Sequence, residues 1–159
     1  MMKLFIDTNV IVDFFAQRKP FYDAARKLFL VGMLGEYDMW TGASQITDIY
    51  YLLTNAKEGQ RLRAEQARQE IIKLRKFVRI SAFTEADIDT VLSSTWSDFE
   101  DACVYQCACK IKADAIITRN QKDFEKSSIK AFDCDEWFAY LEQTRGLMYE
   151  EIPLPPTRS

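Results

Sequence analysis

The chain has 159 residues, enough for one domain with a sizeable core, and 48% apolar against 28% charged residues excludes disordered and membrane-spanning compositions. With 24 acids, 21 bases and a net charge of −3, no global basicity advertises nucleic acid. Histidine is absent, which excludes Ser-His-Asp triads, Cys-His pairs, histidine zinc sites and two-histidine acid-base catalysis, so any chemistry must run on carboxylates.

Lys3 to Ile6 reads as a short apolar strand, and Asp7, Thr8 and Asn9 break the run before Val10 to Phe15 continues with helical character. An acid between strand and helix either caps the helix or stands where ligands collect, outside the carboxyl end of a parallel strand. Pro20 fits the first turn of a helix running to about Leu34, closed by Gly32 and Gly35, and Tyr37 to Thr41 is a second strand. Ser44 starts a helix with Ile46, Ile49, Tyr50 and Leu53 on one face and Asp48 on another.

From Lys57 to Arg79 there are eight bases, Arg61, Arg68 and Arg75 among them, against three acids. A helix from Gln60 to Phe77 carries most of them and is a candidate phosphate-binding face. Val78 to Ser81 is a third strand, and Thr84 with Asp87 forms a capping box for a helix to about Leu92. A second capping box, Ser97 with Glu100, opens a helix that is apolar nearly all round from Ala102 to Cys109 and is therefore buried. Asp98 and Asp101 lie on one face at the mouth of that helix, and acids so placed call for a cation. Cys103 and Cys107, four apart, are small buried side chains or, less simply, a clamp for a soft ion.

Ala113 to Thr118 is a fourth strand ending in Thr118, Arg119 and Asn120; a short turn spans Lys122 to Glu125, Ile129 to Phe132 is a fifth strand, and Asp133 caps a last helix through Leu141. The pattern describes one domain over residues 1–144 and an extended arm over 145–159 that holds Pro153, Pro155 and Pro156. With no apolar run of membrane-spanning length and no secretion leader, the expected compartment is the cytoplasm, where the cysteines stay reduced.

Several carboxylates gathered in one α/β crevice repel one another unless a hard cation such as Mg²⁺ or Mn²⁺ neutralises them. IDTNV at Ile6 to Val10, an acid four residues after Ser44, DFEDA at Asp98 to Ala102 and ITRNQKDF at Ile117 to Phe124 come in an order that resembles the PIN-domain nucleases, VapC-like toxins included. The resemblance implies a three-layer α/β fold with a central, mostly parallel five-stranded sheet, and a metal-dependent endoribonuclease using Mg²⁺ or Mn²⁺. Asp7, Asp48, Asp98 and Asp101 would hold the metal and carry catalysis, with Thr118, Asn120 and Asn9 in support. Arg119 and the base-rich helix (Arg61, Arg68, Arg75) would bind the RNA backbone. An antitoxin and a homodimer are the implied partners. Asp48 stands where the family most often has Glu, and Asn120 where it often has Asp. A pocket weakened at those two positions is the alternative, a PIN fold serving as an RNA- or protein-binding module.

Overall fold

The computed structural model describes residues 1–150. Five strands, β1 (Lys3–Ile6), β2 (Asp38–Gly42), β3 (Val78–Ser81), β4 (Ala115–Ile117) and β5 (Ala131–Phe132), form one sheet in the order β3-β2-β1-β4-β5. Every neighbouring pair is parallel. Between them run α1 (Thr8–Phe15), α2 (Tyr22–Met33), α3 (Ala43–Thr54), α4 (Ala64–Leu74), α5 (Glu85–Leu92) and α6 (Phe99–Lys110), with α7 (Cys134–Arg145) last.

The period-two alternation of strand side chains divides the core into the two halves of a three-layer sandwich. Leu4, Ile6, Met39, Ala115 and Ile117 pack with residues of α1, α2, α3, α4 and α7. Phe5 and Ile116 face the other way, onto Val104, Cys107 and Ala108 of α6. The expected three-layer α/β fold is therefore present, with a sheet that is wholly parallel. No helix among the described residues is long and apolar enough to cross a membrane.

Strand order places the site. From β1 the chain builds outward through β2 to β3, then returns to lay β4 on the other flank of β1. The topological switch point thus falls between β1 and β4, and the crevice beyond their carboxyl ends is where α/β sheets bind ligands. Asp7 leaves β1 and Thr118 leaves β4 side by side, and the Asp7 N–H donates to the Ile117 carbonyl at 2.9 Å.

Several local expectations are corrected. Pro20 stands before α2 rather than in its first turn, because the Phe21 and Tyr22 N–H groups both donate to the Arg18 carbonyl and form a turn first. The helix expected from Gln60 to Phe77 shrinks to α4, because the Gln60 and Leu62 N–H groups bond the Ala16 and Leu53 carbonyls instead. Within α4, Arg68 and Lys73 are balanced by Glu65 and Glu70, and Lys73 pairs with Glu70 at 3.0 Å. The surplus of bases sits in the loops at either end, not on a basic helix. Ser97 does not cap α6: Asp98 does, its side chain accepting from the Asp101 N–H at 2.9 Å. α7 continues past Leu141 to Arg145, and Tyr149 folds back to pack on Phe138 and bond Glu36. Pro153, Pro155 and Pro156 of the expected arm lie outside the described residues.

Candidate active site

Asp7 is the residue on which the crevice is built. It is the N-cap of α1, only 6% exposed, with Oδ1 accepting from the Thr8 N–H at 2.8 Å. Its Oδ2 accepts from the Thr118 hydroxyl, also at 2.8 Å, and Thr118 Oγ1 in turn accepts from the Asn120 N–H at 3.1 Å. The capping and functional readings of Asp7 are thus compatible. One carboxylate caps a helix and ties the ends of β1 and β4 together. Burial pushes its pKa up, against the pull of the Thr118 and Thr8 hydrogen bonds.

Gln45 fixes the opposite wall. Fully buried at the start of α3, it accepts from the Gly42 N–H and donates to Thr8 Oγ1 and to the Ile6 carbonyl, while Thr41 Oγ1 donates to the same carbonyl. A Cβ on Gly42 would stand 3.0 Å from Gln45 Oε1 and 3.2 Å from the Cys107 sulfur, so any side chain there would have to displace them by a few tenths of an ångström.

Around Asp7 the acids gather from several elements. Burial and then repulsion by Asp98, Asp123, Asp7 and Glu100 push the Asp101 pKa from its ordinary 3.8 up to about 7. Burial and the charges of Asp48, Asp7 and Asp98 raise Glu100 as well. Asp7, Asp98 and Asp101 therefore share one electrostatic field, while Asp48, exposed on α3, reaches it through Glu100. Glu100 and Asp123 are members that the sequence does not announce. Its pattern assigns Glu100 to a cap that does not form, and Asp123 hides in the 3₁₀ turn Gln121–Phe124.

The donor set suits a hard divalent cation: it is all oxygen, and its members raise one another's pKa in a way that a positive charge would relieve. Among the described residues no three carboxylates or thiols already converge as a finished cage. The thiols are poor ligands in this setting. All four cysteines are free, and burial foremost pushes Cys103 up to about 11.

The raised Asp101 pKa has a testable consequence. A carboxyl with a higher pKa folded than unfolded binds more protons in the native state, so stability falls as pH rises from 3.8 towards about 7. Thermal melts of the metal-free protein are expected to show that decline, and Asp101→Asn to flatten it. A melting temperature that climbs across the window in both proteins would contradict the placement of Asp101.

The remaining expected residues separate. Asn9 accepts from Arg18 Nη2 through both its carbonyl and its side chain, so it braces α1 rather than touching Asp7. Arg119 is committed to Asp13: its Nε lies 2.8 Å from Asp13 Oδ2 and its Nη2 donates to Oδ1 at 3.2 Å. Its guanidinium also lies 3.9 Å over the Phe21 ring. Arg18 Nε meets Asp13 Oδ1 at 2.8 Å, so a carboxylate 1% exposed is held between two guanidiniums. Arg61 donates from Nε to the Thr54 carbonyl at the end of α3, and Arg68 is exposed in mid-α4. Arg75 precedes β3 and so lies at the amino-terminal edge of the parallel sheet, at the opposite end from Asp7.

Known proteins share this fold. The chain is similar to Ribonuclease VapC1 of Aquifex aeolicus (strain VF5), with 24% identity over 140 residues that cover 85% of this chain and 92% of that protein. Among solved structures it resembles VapBC2 from Rickettsia felis, bound to a DNA fragment from its promoter. That match has a TM-score of 0.59 and 14% identity, and covers 83% of this chain and 98% of the matched one. Mycobacterium tuberculosis VapC20, described as a Sarcin-Ricin loop cleaving toxin, matches with a TM-score of 0.54 and 15% identity over 71% of this chain and 86% of that one. The model of the PIN domain matches residues 3–122, which include every acid of the crevice except Asp123, and by that match this chain belongs to the PIN-domain family.

Proposed function

We propose that the crevice between β1 and β4 is the active site of a metal-dependent endoribonuclease. The observation that carries this reading is that Asp7, Asp98, Asp101 and Glu100 act on one another at the switch point of the sheet, where burial first and then these neighbouring charges lift Asp101 to about 7. Asp7, Asp98 and Asp101 would hold Mg²⁺ or Mn²⁺, with Asp48 at the rim. When bound, such an ion supplies a water nucleophile at neutral pH and stabilises charge on the oxygens of a phosphodiester. Thr118 orients Asp7, and Asp98 fixes the first turn of α6, which carries Asp101.

The likeness to Ribonuclease VapC1, and to VapC20, whose description is that of a toxin, supports RNA as substrate and a toxin role. The VapBC2 likeness supports a cognate antitoxin. A homodimer and a cytoplasmic location complete the proposal.

Cleavage of a mixed RNA pool by the purified protein, with Mn²⁺ or with EDTA, tests this reading. Cleavage lost in EDTA is expected. RNA left intact by the Mn²⁺-loaded protein would point instead to a binding module. Within the site, Thr118→Val removes the hydroxyl that orients Asp7 and is expected to cut cleavage about 10–100-fold, as loss of an outer-sphere partner does. An unchanged rate would show that Asp7 needs no orientation from β4.

A further inference from the structure

The chain has eleven Phe, seven Tyr and three Trp, and among the described residues only Phe21, Tyr51 and Phe99 are exposed, by 38%, 64% and 51%. Scattered exposed aromatics are ordinary on any protein surface, so their positions decide what they mean. The Phe21 ring is covered by the Arg119 guanidinium. The other two bracket the acids. Tyr51 stands on α3 one turn after Asp48, and Phe99, the first residue of α6, stands between Asp98 and Glu100.

Beyond Tyr51 the surface changes sign. A groove of about 600 Å³ is lined by Tyr51, Asn55, Lys57, Glu58, Arg61 and Arg18, the last already paired to Asp13. Asp48, Tyr51 and Asn55 follow one another along a helix face, and from Asp48 to Asn55 the helix rises about 10 Å, so the groove opens at Tyr51, one turn along α3 from the acid. The Nε bond of Arg61 to the Thr54 carbonyl anchors that side chain and leaves its Nη donors for a phosphate.

We propose that Tyr51 and Phe99 are base-stacking residues on either side of the acid crevice, and that they restrict it to an unpaired stretch of RNA whose backbone continues past Tyr51 over Lys57 and Arg61. Exposed rings can take any base on their faces, but only a base released from a duplex offers a free face to them. The two cations beyond Tyr51 complement a phosphate backbone, which the acids at the crevice itself would repel in the absence of metal. This inference rests on the ribonuclease reading above.

The test is fluorescence anisotropy of a labelled short oligoribonucleotide, as a single strand and as a duplex, on the Asp101→Asn protein, with cleavage by the wild-type protein measured alongside. Single-strand affinity is expected to fall about tenfold or more in Tyr51→Ala and again in Phe99→Ala. Tyr51→Phe and Phe99→Tyr, which keep a ring, are expected to restore it, and the duplex should bind more weakly than the single strand and show no such dependence. If wild-type cleavage is present but neither alanine changes single-strand binding, the stacking proposal is overturned and the ribonuclease reading stands. Stacking is equally overturned if Tyr51→Ala changes only the mass in light scattering, because the face is then a protein interface. If the protein neither binds nor cleaves any RNA, both readings fall together.

Discussion

Asp13→Ala is expected to lower folding stability by about 3–5 kcal/mol, the scale on which breaking a buried ion pair acts. The Asp13 carboxyl is 1% exposed and lies 2.8 Å from the Nε of Arg18 and of Arg119. Burial pushes its pKa up, and Arg119 and Arg18 oppose that shift. Removing the carboxylate leaves two guanidiniums confronting each other with no counter-charge. Their side chains keep 14% and 27% exposure, so some of the penalty is relieved by water, and the lower end of the range is the better expectation. Denaturant melts read the loss directly. The companion variant Asp13→Leu with Arg18→Met and Arg119→Met, which exchanges the whole triad for apolar volume, should regain much of it. A loss in Asp13→Ala within about 0.5 kcal/mol, the level of an ordinary surface change, would mean that the triad is not a brace between α1, the loop at Arg18 and the end of β4.

Asp7→Asn is expected to do the reverse: to keep or raise the melting temperature while reducing RNA cleavage by more than about 100-fold. The bound on activity follows because loss of an outer-sphere partner alone costs about 10–100-fold. The stability half follows from burial, which disfavours the charged Asp7 carboxyl. An amide is isosteric, its oxygen can keep the Thr8 N–H, and the Thr118 hydroxyl can turn to accept from its nitrogen. Stability sacrificed for activity marks a functional residue, whereas a purely structural cap would lose both together. Calorimetric melts and a cleavage assay on the same preparation distinguish the two cases.

Much of this is legible in the sequence because local rules and global fold agree over the strands. Short apolar runs ending in Asp7 and in Thr118 announce parallel strands with polar carboxyl ends, and the observed β1 and β3 coincide with the expected spans. The order of the strands is not legible, since the pairing of β4 with β1 joins residues about a hundred positions apart in the chain. Asp13 escapes for the same reason: its partner Arg119 is 106 residues away. A signal exists, because an acid within VIVDFF has no solvated face of its own and must be paired if the helix is buried. The expected basic helix fails because charge summed along the chain ignores where the fold puts it: the surplus lies in loops, and Arg75 stands at the far end of the sheet. Glu100 is hidden by a valid alternative, since Ser97 and Asp98 are both good caps and only the backbone path chooses between them.

On the proposed reading, the acids at the β1–β4 switch point hold a divalent cation. Calorimetric titration of Mn²⁺ into the purified protein tests it most directly, with Asp7→Asn and Asp101→Asn titrated beside it. Saturable binding is expected, weakening as pH falls below about 7, where Asp101 takes up its proton, and lost in both variants. A wild-type protein that gives no binding heat across that range, or variants that bind Mn²⁺ as tightly as the wild type, would contradict it.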